Sequence, residues 1–276
     1  MLLAAIALQA SIAAPIFAPP VDTPLRILTE RTEAAPERHY RLERLVRFNK
    51  EGNGYRAEAL ILGSASEAPQ PLGNLVERGL SALAGRKIVL HLDSEGRVVE
   101  VDEIATLWER VCQRISDAAA TRQSLPPGEA RKLAEKVAAP LRALPPERQR
   151  ALLATLVTAA IISDPLDPVG TVVPIKLPGT SPFGTPIVLE GTRRTAAADN
   201  GLIRTTTLAA ATMALPTNGQ PAASGSVALE RVRTSDPRTG LIANGLDTLR
   251  NGTATRQTVL VTRLSVARAN PSDWPD

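Results

Sequence analysis

Ala151-Leu152-Leu153-Ala154-Thr155-Leu156-Val157-Thr158-Ala159-Ala160-Ile161-Ile162 is twelve residues interrupted by only two hydroxyls. A helix that apolar nearly all round has to be covered on most of its sides. It is too short for a bilayer: twelve residues rise roughly 18 Å, against a hydrocarbon core of about 30 Å. Protein must therefore cover it. The neighbouring sequence on both sides is β-patterned, so the expected cover is a sheet made by the flanks.

The run closes a helical block expected over residues 102–163. Ile104, Leu107, Trp108, Val111, Cys112 and Ile115 keep helical spacing along one stripe, which makes Cys112 a core thiol. Pro126-Pro127 opens a second helix through Leu133 and Val137, expected to end at Pro140, and Pro145-Pro146 opens the third. Asp164-Pro165 and Asp167-Pro168 close it.

Ahead of the block, strands are expected over 24–34, 38–48, 55–62, 86–92 and 97–101. Tyr40, Leu42, Val46 and Phe48 alternate with Arg41, Glu43 and Arg47, broken once at Arg44-Leu45. Tyr55, Ala57, Ala59 and Ile61 repeat the pattern after the turn Asn49 to Gly54. A short helix is expected to carry Leu72, Leu75, Val76, Leu80 and Leu83 on one face. Behind the block, strands are expected near 171–177, 185–195, 201–209, 225–234, 240–249 and 253–266, separated by short turns such as Asp236 to Gly240 and Asn251-Gly252. Short connections favour antiparallel neighbours. The fold class is α+β: a curved, half-barrel-like antiparallel sheet with a three-helix insertion packed on one face.

Residues 1–20 stand apart. The run Met1 to Leu8, then Ser11-Ile12-Ala13 and three prolines, reads as a signal peptide without an early basic residue. It sets the expectation of a periplasmic or secreted bacterial protein with no stable transmembrane span. The remainder divides into one β-rich domain, 21–270, with the helical insertion, and a fraying tail, 271–276.

Composition excludes several chemistries. One cysteine rules out an internal disulfide and a C-x-x-C metal site. His39 and His91 are the only histidines. They are read as surface residues; a hydrolase would need one of them in a pocket beside a serine or carboxylate. Nucleophile-elbow, zinc-protease, P-loop and dinucleotide motifs are missing. A net charge of +4, carried almost wholly by arginine, shows no block of like charge and no aromatics interleaved with Arg193-Arg194, so nucleic acid is not expected. No enzyme activity, cofactor or metal is expected.

In outline the arrangement is similar to exported half-barrels that carry lipoproteins or lipids, a likeness of architecture that rests on no shared motif. It implies an apolar ligand, a lipid or acyl chain, held between sheet and helices. The candidate lining is Trp108, Val111 and Leu156, facing Tyr40, Phe48 and Tyr55. The rival reading is a cell-envelope interaction or structural module with a protein partner and no small ligand.

Overall fold

The computed structural model describes residues 17–34, 37–67, 79–120, 126–182, 184–215, 223–253 and 256–275. Among these residues eleven strands form one antiparallel sheet. They are β1 (Leu25–Ala34), β2 (Glu37–Glu51), β3 (Gly54–Glu67), β4 (Lys87–Leu92), β5 (Val98–Val101), β6 (Val172–Thr180), β7 (Pro186–Ala197), β8 (Ile203–Leu215), β9 (Ala223–Asp236), β10 (Leu241–Thr253) and β11 (Gln257–Arg268). The insertion is α1 (Ile104–Ala120), α2 (Pro127–Arg142) and α3 (Pro146–Thr158). The fold is the expected curved sheet with a three-helix insertion. The leader expected over 1–20 falls, up to residue 16, outside the described residues; its last four belong to the fold, with Phe17 buried in the main cluster and the Ala18 N–H donating to the Thr239 carbonyl at 3.0 Å, so the domain takes in residues 17–20 ahead of the expected boundary at 21. The expected short helix also falls outside the described residues up to residue 78; Ser81–Leu83 form a 3-10 turn.

The strand order is β5-β4-β3-β2-β1-β11-β10-β9-β8-β7-β6. Two meanders are thus joined where the first strand meets the last, Ile27 opposite Val266 and Leu25 opposite Arg268. β5 and β6 are the two open edges, ten strand spacings apart, roughly 48 Å along a flat sheet. The insertion connects these edges, so it has to cross one face. That is why the sheet carries helices on one side.

Both edges are blunted. Arg150 of α3 donates from Nη1 to the Val99 carbonyl of β5 at 3.0 Å. β6 carries Pro174 and Pro178, which lack an N–H that a further strand could use.

Alternation places the core. Leu25, Ile27, Leu42, Val46, Phe48, Ala57, Ala59 and Ile61 face the helices with Leu107, Val111, Ile115, Leu153 and Leu156 in one buried cluster. The break at Arg44-Leu45 proves to be unbroken alternation: Arg44 points inward with 1% exposure, and Leu45 packs outward against Leu60 and Trp274. The irregularity sits on β3, where the register skips Leu62 between Ile61 and Gly63.

Three expectations are corrected. Pro140 lies inside α2 and does not end it. The apolar run is helical only to Thr158; Ala160 to Ile162 then pair with Gly240 to Ile242, through an Ile161–Leu241 bridge. Within it, Leu153, Ala154, Leu156 and Val157 are buried while Ala151 and Thr155 are exposed, so cover comes from one side and small residues tolerate the other. The tail does not fray: Pro271–Asp273 form a turn, Asp273 meets Arg26 at 2.9 Å, and Trp274 is 8% exposed beneath Arg47.

Candidate functional site

The structure brings all six expected lining residues together. Tyr40, Phe48, Tyr55, Trp108, Val111 and Leu156 belong to one cluster, and each is buried. Phe17, ahead of the first strand, packs edge-on against Phe48 and Tyr55 at 5.7 and 5.0 Å. Tyr55 donates to the Phe17 carbonyl, and Trp108 Nε1 to the Leu141 carbonyl at 2.9 Å. A cleft of about 760 Å³ lies between α3, the turn at Glu95–Val98 and the segment Ile161–Pro165, and none of the six lines it.

A second apolar surface was not expected from the sequence. The ladder registers carry the helix-facing side from β1 across to β6, because each inward residue pairs with an inward neighbour. One row runs Leu260, Leu249, Leu229, Ala209, Gly191 and Ile175. The strands continue on the same face into Val227, Ala211, Leu189 and Leu177, and then Met213 and Ile187. Only Leu189, Ala209 and Val227 are fully buried; the others are partly covered. Every member of this cluster comes from a strand, and no described helix residue packs on it. Gly191 lies in the middle of the floor, where a Cβ would come within 1.8 Å of the Leu208 carbonyl oxygen.

The floor is bordered by charge. Two positions further along β9, Arg231 pairs with Asp247 of β10 at 3.0 Å, and Arg233 reaches the same carboxylate at 3.5 Å. The segment leaving α3 crosses here. Its Asp164 lies 3.5 Å from Arg231 and 3.9 Å from Arg233, and its Asp167 meets Arg193 of β7 at 2.6 Å. Burial first, then the like charge of Arg231, pushes the Arg233 guanidinium below its usual range. Thr207 and Thr195 complete this polar stripe, both buried.

The histidines fall elsewhere. His91 stands on the outer face, 25% exposed at its side chain, with Nδ1 at 2.6 Å from Glu51 and Nε2 at 3.0 Å from Asp102. Both ring nitrogens are taken by carboxylates, which raise its pKa, Glu51 foremost and against some burial. His91 thus has the carboxylate neighbours a hydrolase would need, not the free surface position expected of it; a serine relay also needs a hydroxyl at one ring nitrogen, and both nitrogens face carboxylates. Cys112 is a buried thiol, its pKa raised first by desolvation. Among the described residues no cluster of three or more His, Cys, Asp or Glu is placed to hold a metal, and no helix is long and apolar enough to cross a membrane.

Sequence reading missed the floor and its stripe. The strands that build the floor alternate and pair with their neighbours in the chain, but alternation does not say which of their faces the helices pack on, and Arg231-Val232-Arg233 read alone is an ordinary half-polar strand until Asp164 is brought to it from the segment after α3. The chain matches no known protein-family model and no characterised protein at a significant level.

Proposed function

We propose that this protein is an exported, non-enzymatic carrier of an apolar chain, a lipid or fatty acyl group, on the helix-facing side of β6–β11. One observation carries the reading: an apolar floor of strand residues only, next to the helical insertion, on which no hydrophobic helix residue packs among the described residues. Four strand spacings from β10 to β6 give it a width of about 19 Å. Apolar surface left partly open on the inward face of a curved sheet is a cost unless something binds there, since each methylene moved out of water contributes about 0.8 kcal/mol. The expected signal peptide supports export, and a carrier needs neither nucleophile nor cofactor.

The rival reading, an envelope interaction module, finds less support. The most exposed large hydrophobics of the β6–β8 region, Val172, Val188 and Leu208, lie in three different rows of the outer face. They make no continuous patch.

Organic extraction of the purified protein followed by mass spectrometry tests the proposal, together with titration of the delipidated protein with a fluorescent fatty acid. The expected result is an extracted lipid or saturable binding that Leu229→Gln weakens. Neither extracted lipid nor saturable binding would remove it.

A further inference from the structure

The stripe beside the floor points to the ligand's polar end, an inference that rests on the acyl-chain reading above. Arg231 and Arg233 stand side by side on β9, 24% and 20% exposed at their side chains, two residues beyond the half-buried Leu229. Two residues of strand are about 7 Å, so a chain on the floor brings its end group to these guanidinia. Of the two carboxylates facing them, Asp247 is fixed in the β10 ladder opposite Arg231. Asp164 sits in the irregular segment after α3, is 36% exposed, and stays at 3.5 and 3.9 Å, beyond good hydrogen-bond distance. The fork of an arginine matches a carboxylate in two-point fashion, and only Asp247 engages one here at 3.0 Å.

We propose that Arg231 and Arg233 bind the carboxylate of a free fatty acid lying on the floor, and that Asp164 stands in that carboxylate's place when the site is empty. The ligand's anion and Asp164 compete for the same donors. Removing the Asp164 charge therefore strengthens acid binding, the opposite of what loss of a merely structural ion pair would do.

The test uses the delipidated full chain and a fluorescent fatty acid displaced by palmitate or by hexadecanol, an uncharged chain of equal length. Palmitate is expected to bind about tenfold tighter, roughly 1.4 kcal/mol. In Arg231→Gln/Arg233→Gln the palmitate-to-hexadecanol ratio falls to about one. In Asp164→Asn palmitate tightens about two- to fivefold, the scale of an exposed ion pair. Should the double variant fail to fold by circular dichroism, the Asp164→Asn arm decides. Equal affinity of the two ligands in the native protein, weaker palmitate binding in Asp164→Asn, or a lysophosphatidate outcompeting palmitate tenfold would each overturn the carboxylate assignment while the acyl-chain reading stands. If neither chain binds, the acyl-chain reading itself has failed.

Discussion

Arg44 offers a sharp test of how this core is held together. It is 1% exposed on the inner face of β2, where Nε donates to the Leu156 carbonyl at 2.5 Å and Nη1 to Thr29 Oγ1 at 3.1 Å. No carboxylate pairs with it among the described residues. Burial, only partly offset by Tyr40, lowers its pKa to about 10. That drop corresponds to roughly 3 kcal/mol disfavouring the charged form in the fold. Arg44→Met removes this cost and keeps most of the volume, but leaves the Leu156 carbonyl and the Thr29 hydroxyl without their donor, a loss of about 1–3 kcal/mol. The two effects nearly cancel, so Arg44→Met should lie within about 1 kcal/mol of the native protein. Arg44→Ala meets the same polar loss and opens a cavity besides, and should destabilise by about 3 kcal/mol or more. Urea unfolding at neutral pH, followed by circular dichroism, measures both. The sign also shows at high pH: the folded pKa is below the unfolded one, so the native protein gains on Arg44→Met as pH rises above about 10. If Arg44→Met is as damaging as Arg44→Ala, the reasoning that an uncompensated buried charge is a liability here is wrong.

Three further outcomes follow from the geometry. His91 has a raised pKa, so its clasp between Glu51 and Asp102 contributes stability below the ordinary histidine range and loses it as pH climbs through the folded value; thermal unfolding between pH 6 and 8, to be compared for native protein and His91→Gln, should show a slope that the variant flattens. Trp274→Ala uncovers Leu45 and Leu60 and removes the stacking partner of Arg47, with an expected loss of about 2–3 kcal/mol; a midpoint unchanged in urea would mean that the tail contributes nothing. Cys112, buried in the α1 stripe, should react with a thiol reagent only on unfolding, so labelling in native buffer as fast as in urea would contradict its placement.

Local pattern makes much of this protein legible from its amino acids alone. Period-2 alternation in Tyr40–Phe48 and Tyr55–Ile61, helical spacing in Ile104–Ile115, and Pro pairs at helix starts depend only on neighbours in the chain. They suffice for the element types and the curved sheet with its insertion, and they group the six buried residues that share one cluster. Pro140 misleads because a proline costs one helix bond and adds a clash, and the packed face of α2 outweighs both. Arg44 misleads because a charge on an inward position looks like a broken pattern until a distant carbonyl, that of Leu156, is brought to it.

What only the tertiary structure decided is everything that joins distant segments. The meeting of β1 with β11, the outward seat of Trp274, and the crossing of Asp164 and Asp167 over β7 and β9 all depend on pairings between residues far apart in sequence. Alternation tells which residues of a strand share a face, but not which half of the sheet the helices pack on. The floor, free of helix cover among the described residues, and the arginines beside it follow from how the sheet and insertion assemble, which is set by the summed burial of the whole chain, not by any one segment of it.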